Sequence, residues 1–116
     1  MPINILIIED DEELLCLLRS AFKLNNFNTY IARDIESAIK IANEEKIDII
    51  FSDIVIGKDK VINYLDKLLV GNNKKAKIIF TTGYSDVAYE LKNDIPLFIK
   101  PYDVDMVIEK IKKLID

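Results

Sequence analysis

The stretch "INILIIEDDEELLCLLRSAF", residues 3–22, sets out a strand, a helix and an electrostatic problem between them. Ile3 to Ile8 is almost continuously apolar, as a strand covered on both faces would be. Leu14, Leu17, Leu18, Ala21 and Phe22 then recur at helical spacing until Asn25-Asn26. Between the two lie five consecutive carboxylates, Glu9 to Glu13. Asp11, Glu12 and Glu13 fit the cap and first turn of the helix, where the dipole favours negative charge by about 0.3–1 kcal/mol each. Glu9 and Asp10 end the strand instead, and capping does not explain them.

Working outward, the same alternation repeats to the end of the chain. Phe27 to Ala32 reads as a strand, and Asp34 as the N-cap of a helix with Ile35, Ala38, Ile39 and Ala42 on one face. "IDIIFSD" reads as a buried central strand, "VINYLDKLL" as a helix with Val61, Tyr64, Leu65 and Leu68 inward, and "AKIIFTT" as another buried strand. A short helix is expected over 86–92. "IPLFIK" is the last strand, placed at a sheet edge by Pro96. Asp103 then caps a helix showing Val104, Val107, Ile108, Ile111 and Leu114. The result is one α/β domain, residues 1–116, of (βα)5 type, with right-handed crossovers, a parallel sheet and helices on both faces. Ligands of such sheets sit beyond the carboxyl ends of the strands. That rule singles out Glu9, Asp10, Asp53, Thr82 and Lys100.

Composition narrows the chemistry. The chain has 116 residues and a net charge of −4, so nonspecific nucleic-acid binding is not expected. It has no histidine, which excludes histidine acid–base catalysis and histidine metal ligation. The single cysteine, Cys16, cannot form an intrachain disulfide and reads as a small core residue. Neither a secretory signal nor a membrane span is apparent, and a cytoplasmic location is expected.

Asp53 should reach the same rim as Glu9 and Asp10. At about 4 Å and an effective dielectric near 20, two carboxylates repel by roughly 4 kcal/mol. Lys100 can neutralise one of them. A hard divalent cation with oxygen ligands would neutralise the others, and Mg2+ suits one or two carboxylates with waters and phosphate.

Taken together, "ILIIEDD", "IDIIFSD", "IIFTTGYSD" and "FIKPYDVD" resemble the receiver domain of two-component response regulators. The likeness covers essentially the whole chain, and its wording is nearest to single-domain or hybrid-kinase receivers. It implies a flavodoxin-like doubly wound sheet of order 2-1-3-4-5. It implies that Asp53 takes a phosphoryl group from a histidine kinase or phosphotransfer protein. Asp10, Asp53, Glu9 and the Val55 carbonyl would hold Mg2+, Thr82 would bond a phosphoryl oxygen, and Lys100 would pair with another. The Lys100–Pro101 bond is usually cis in this family. Such a domain modifies itself rather than turning over a separate substrate, and its output would be an unknown downstream protein. A homodimer through the fourth helix, fifth strand and fifth helix is an option the family offers.

Two positions depart from the family pattern. "VIGKDKV" has Gly57 and Val61 where a proline and a glycine are usual, which predicts a rebuilt loop with the site retained. Leu97 stands where the aromatic switch residue is expected, so its coupling to Thr82 is weakened or passes to Tyr84, Phe98 or Tyr102. Val55 and Tyr84 occupy the positions that tune acyl-phosphate lifetime, and neither can orient an attacking water, which predicts slow self-dephosphorylation. The alternative is a pseudo-receiver, a protein-interaction module with the fold but no phosphorylation. A flavin or nucleotide site is disfavoured, because "EDDEE" would repel a phosphate unescorted by metal.

Overall fold

Five short hydrophobic strands form one parallel sheet in the computed structural model, which describes residues 2–83 and 95–115. In chain order the elements begin with β1 (Asn4–Ile8), α1 (Glu12–Leu24), β2 (Asn28–Ala32), α2 (Ile35–Glu44) and β3 (Ile49–Asp53). A hairpin of β4 (Val55–Ile56) and β5 (Asp59–Lys60) follows, then a 3-10 turn over Val61–Tyr64 and α3 (Leu65–Leu68). A second 3-10 turn, Gly71–Asn73, leads to β6 (Lys77–Thr82), and the chain closes with β7 (Leu97–Ile99) and α4 (Val104–Ile115). The sheet order is β2-β1-β3-β6-β7, which is the expected 2-1-3-4-5 when the parallel strands alone are counted. The strand carrying Pro96 at its entry is at the edge, as expected.

Alternation along β1 explains why its sequence is apolar throughout. Leu6 and Ile8 enter a core layer with Ala38, Ile50, Leu68 and Phe80, under α2 and α3. Ile5 and Ile7 enter the opposite layer with Phe22, Phe51, Ile79 and Ile111, under α1 and α4. A strand buried on both faces needs no polar residue until it reaches the rim.

Three expectations are corrected. The inward face of α1 is Leu15, Leu18 and Phe22, whereas Leu17 is 59% exposed. Cys16 is exposed on the same helix, not buried. "ELLCLL" is apolar nearly all round, so periodicity does not fix its rotation. The ring of Phe22 does, packing edge-on against Phe27 and Phe51 at 5.2 and 5.9 Å. The third correction is "VINYLDKLL", which is not a regular helix. Val61 donates its N–H to Ile54 O at 2.9 Å, and the chain leaves the hairpin through a tight 3-10 turn before α3. The helix expected over 86–92 lies outside the described residues.

One fold determinant escaped the sequence reading. Asn73 is buried, accepts from Ile47 N at 2.7 Å and donates to Ala42 O and Glu45 O at 2.7 and 2.9 Å. It ties the end of α2 to the segment entering β3. No helix of the described residues is long and apolar enough to cross a membrane.

Candidate functional site

Parallel register carries four of the five expected residues to one rim. Ile8 lies opposite Ser52, Asp53 opposite Thr81, and Thr82 opposite Ile99, so Glu9, Asp53, Thr82 and Lys100 end or follow adjacent strands. The backbone continues the ladder there, with Glu9 N donating to Ala32 O and Lys100 N to Thr82 O. The side chains of Glu9, Asp10, Asp53, Val55, Thr82 and Lys100 border a crevice of about 480 Å3. The Lys100–Pro101 bond is cis, as the resemblance implied.

Lys100 Nζ donates to Glu9 Oε1 and to Asp53 Oδ2, each at 2.9 Å. The second oxygen of Glu9, Oε2, accepts from Asp11 N at 3.0 Å. Asp11 itself caps α1, its Oδ1 accepting from Glu13 N and Leu14 N. The acidic run is thereby divided. Asp11, Glu12 and Glu13 serve the helix start, while Glu9 and Asp10 serve the crevice.

Burial and pairing pull the titrations in different directions. Burial pushes the Glu9 carboxyl up, against the lowering effect of Lys100 and the Asp11 amide. Burial also pushes Asp53 up, opposed by Lys100 and assisted by the Asp10 charge. For Lys100 burial acts downward, yet its two carboxylate bonds prevail and raise it. One ammonium therefore stays charged between two carboxylates that burial makes easier to protonate.

Glu9, Asp10 and Asp53 each bring a carboxylate oxygen to within 4.8 Å of the others. These are hard donors, with Asp10 on the exposed side where waters can complete a shell, so the set fits Mg2+. Val55 borders the same crevice at the start of the hairpin. The feature missing from the sequence reading is Gly57. Its N–H donates to Asp10 Oδ2 at 3.3 Å, and its φ of +63° is the signal that a glycine at that loop position could have supplied.

Of the switch candidates, Leu97 is partly buried against the core layer under α2 and α3. Phe98 and Tyr102 pack on the opposite layer, with the Tyr102 ring 5.8 Å from Phe51 and 6.3 Å from Phe98. Tyr84 lies outside the described residues.

Residues 5–112 match the family model described as the response regulator receiver domain. The chain is 30% identical over 123 residues to a sensory transduction protein LytR of Streptococcus mutans serotype c, covering 96% of this chain and 49% of that protein. It is 28% identical over 113 residues to sporulation initiation phosphotransferase F of Bacillus subtilis, covering 95% of this chain and 91% of that protein. The chain thus spans about half the length of the LytR-type relatives it matches. Among solved structures, the response regulator TrrA of Thermotoga maritima, in complex with Mg2+-BeF, aligns with a TM-score of 0.81 at 25% identity, covering 97% of this chain and 98% of that one. Motif order, sheet topology and these matches agree, and the chain belongs to the response regulator receiver domain family.

Proposed function

We propose that Asp53 is the phosphoacceptor of this receiver, taking a phosphoryl group from a phosphohistidine of a kinase or phosphotransfer protein. The observation that carries this reading is Lys100 bridging Glu9 and Asp53 at 2.9 Å beside the three-carboxylate cluster. An Asp53 oxygen forms a bond to phosphorus, the N–P bond of the donor breaks, and the histidine nitrogen leaves with the bonding pair. Lys100 would pair with a phosphoryl oxygen, and Thr82, which borders the same crevice at the end of β6, would bond another. Asp10, Asp53 and the Val55 carbonyl would hold Mg2+, which would neutralise the oxygens of the transferring group. Both Glu9 oxygens already accept hydrogen bonds, which favours a contribution through water.

The complex of TrrA with Mg2+-BeF supports the cofactor. The chain would act on its own aspartate without turning over a separate substrate, in the cytoplasm, with output through a protein partner. Exposed Ile99 on β7 and Met106 on α4 are apolar groups that a homodimer through this face would cover.

Incubation with Mg2+ and acetyl phosphate, read by intact mass, tests the reading. Wild type should gain one phosphoryl group and Asp53→Asn none. A pseudo-receiver is the second reading, favoured by Leu97 in place of the aromatic switch and by the hairpin after Asp53. The absence of any phosphoryl gain on wild type would leave that reading standing instead.

A further inference from the structure

The chain reverses direction almost immediately after Asp53. Val55 pairs with Lys60 and Ile56 with Asp59, with Gly57-Lys58 at the tip. Gly57 has φ +63° and Lys58 does not share that handedness, the glycine-first arrangement that suits a two-residue hairpin. The hairpin is held from below. Ile54, Ile56 and Val61 are all buried in the layer under α2 and α3, and Val61 N bonds Ile54 O across its base. Its tip, residues 57–60, is exposed. The hairpin thus has a buried root and an exposed tip, and the N–H at the start of the tip reaches Asp10.

Asp10 is exposed, unlike Glu9, and its side chain accepts no hydrogen bond among the described residues apart from that of Gly57. A ligating carboxylate needs one oxygen oriented by the protein so that the other faces the metal, and losing such a partner typically costs about 10–100-fold in affinity. We propose that Gly57 is a positioning residue for the metal: the left-handed backbone at residue 57 aims its N–H at Asp10 Oδ2 and sets the carboxylate for Mg2+. This inference rests on the proposed function above. It assigns the rebuilt loop a role in the site, namely fixing the one acid of the cluster that Lys100 does not hold.

The geometry permits a clean test. A Cβ added at Gly57 meets nothing within 4 Å, and the same holds for Gly71, which also has positive φ (+56°) but lies beside Asn72 and Asn73 away from the crevice. A Cβ therefore clashes with nothing at either site, and the change common to both is backbone handedness. Asn tolerates positive φ, whereas β-branched Val does not. Mg2+ binding would be measured by calorimetry on wild type, Gly57→Val, Gly57→Asn and Gly71→Val, with phosphoryl uptake measured in parallel by intact mass.

Gly57→Val should weaken Mg2+ binding about tenfold or more. Gly57→Asn should stay within about threefold of wild type, and Gly71→Val should bind as wild type despite comparable strain. Should Gly57→Val fail to fold, Gly57→Ala applies the same handedness penalty more gently and should still weaken binding. Equal or tighter binding by the Gly57 variants, or equal weakening in Gly71→Val, overturns the positioning role while wild-type phosphorylation stands. Failure of wild type to bind Mg2+ or take up phosphoryl overturns the underlying reading instead.

Discussion

The two sides of the crevice are built differently. On the Lys100 side the groups are withdrawn from water and tightly bonded, with Glu9 2% exposed and both carboxylate contacts at 2.9 Å. On the hairpin side Asp10 is exposed and held by one longer bond, 3.3 Å from Gly57 N. One side has its counter-charge built in, and the other leaves the Asp10 charge facing solvent. The contrast teaches how a cluster of acids can persist in a fold. The protein pairs the acids it buries with Lys100 and leaves Asp10 to the solvent.

Breaking the built-in side should have the largest effect. Lys100→Met leaves Glu9 and Asp53 facing each other without their shared cation. The metal-free protein should lose about 2–3 kcal/mol in urea unfolding, below the loss for a fully buried pair because 26% of the lysine side chain stays in water. Phosphoryl uptake should fall with it. A loss under about 0.5 kcal/mol would mean that the two sides do not differ in the way described.

Breaking the open side should move stability the other way. Asp10→Asn removes a negative charge from a cluster holding three carboxylates and one ammonium. The metal-free fold should gain about 1 kcal/mol, since near-surface repulsion of this kind is screened. Mg2+ binding should be lost. A variant both less stable and unable to bind would show that Asp10 has a structural task not visible in its contacts.

Proton concentration sharpens the same contrast. Glu9 and Asp53 are raised in the folded state, burial being the main cause, so the fold binds their protons more readily than the unfolded chain. Their contribution is therefore most favourable below the ordinary carboxylate values and is lost as pH rises through the raised ones. Lys100 is also raised, and its contribution persists below the ordinary lysine value and is lost in alkali. Asp34, lowered by its bond from Ser37 N, opposes the first trend only at still lower pH. The metal-free urea midpoint should thus rise modestly as pH falls from neutral toward the carboxylate range. Mg2+ affinity should fall over the same interval, as protons compete for its ligands. Parallel rather than opposed pH trends would contradict the assignment.

Much of this was legible in the residues. The rim positions of Asp53, Thr82 and Lys100 follow from strand ends, and strand ends are marked by the change from apolar run to charge. Asp34 and Asp11 were recognisable as caps because their partners are local in sequence. What escaped depends on contacts distant in the chain. The rotation of α1 is set by Phe22 against Phe51, across 29 positions, and not by its own period. The Asn73 clamp joins segments 26–31 residues apart, and a buried asparagine has no sequence signature. "VIGKDKV" announced a rebuilt loop, but a two-residue hairpin this short has too little alternation to be read as strands.

The smallest effect expected concerns Tyr102, which lies against the Lys100 side from below. Its ring packs edge-on against Phe51 at 5.8 Å, while its hydroxyl is buried with no hydrogen-bond partner among the described residues. Burial and the nearby Glu9 and Asp53 charges raise the hydroxyl well above the ordinary tyrosine range, Lys100 acting against them, so it stays neutral and uncompensated. A buried hydroxyl without a partner costs free energy that its ring contacts offset. Tyr102→Phe keeps the ring and removes the desolvated oxygen. The fold should be unchanged or firmer by about 0.5–1 kcal/mol in urea unfolding, with Mg2+ affinity unaffected. A loss of 1 kcal/mol or so would mean that the Tyr102 hydroxyl makes a stabilising hydrogen bond after all.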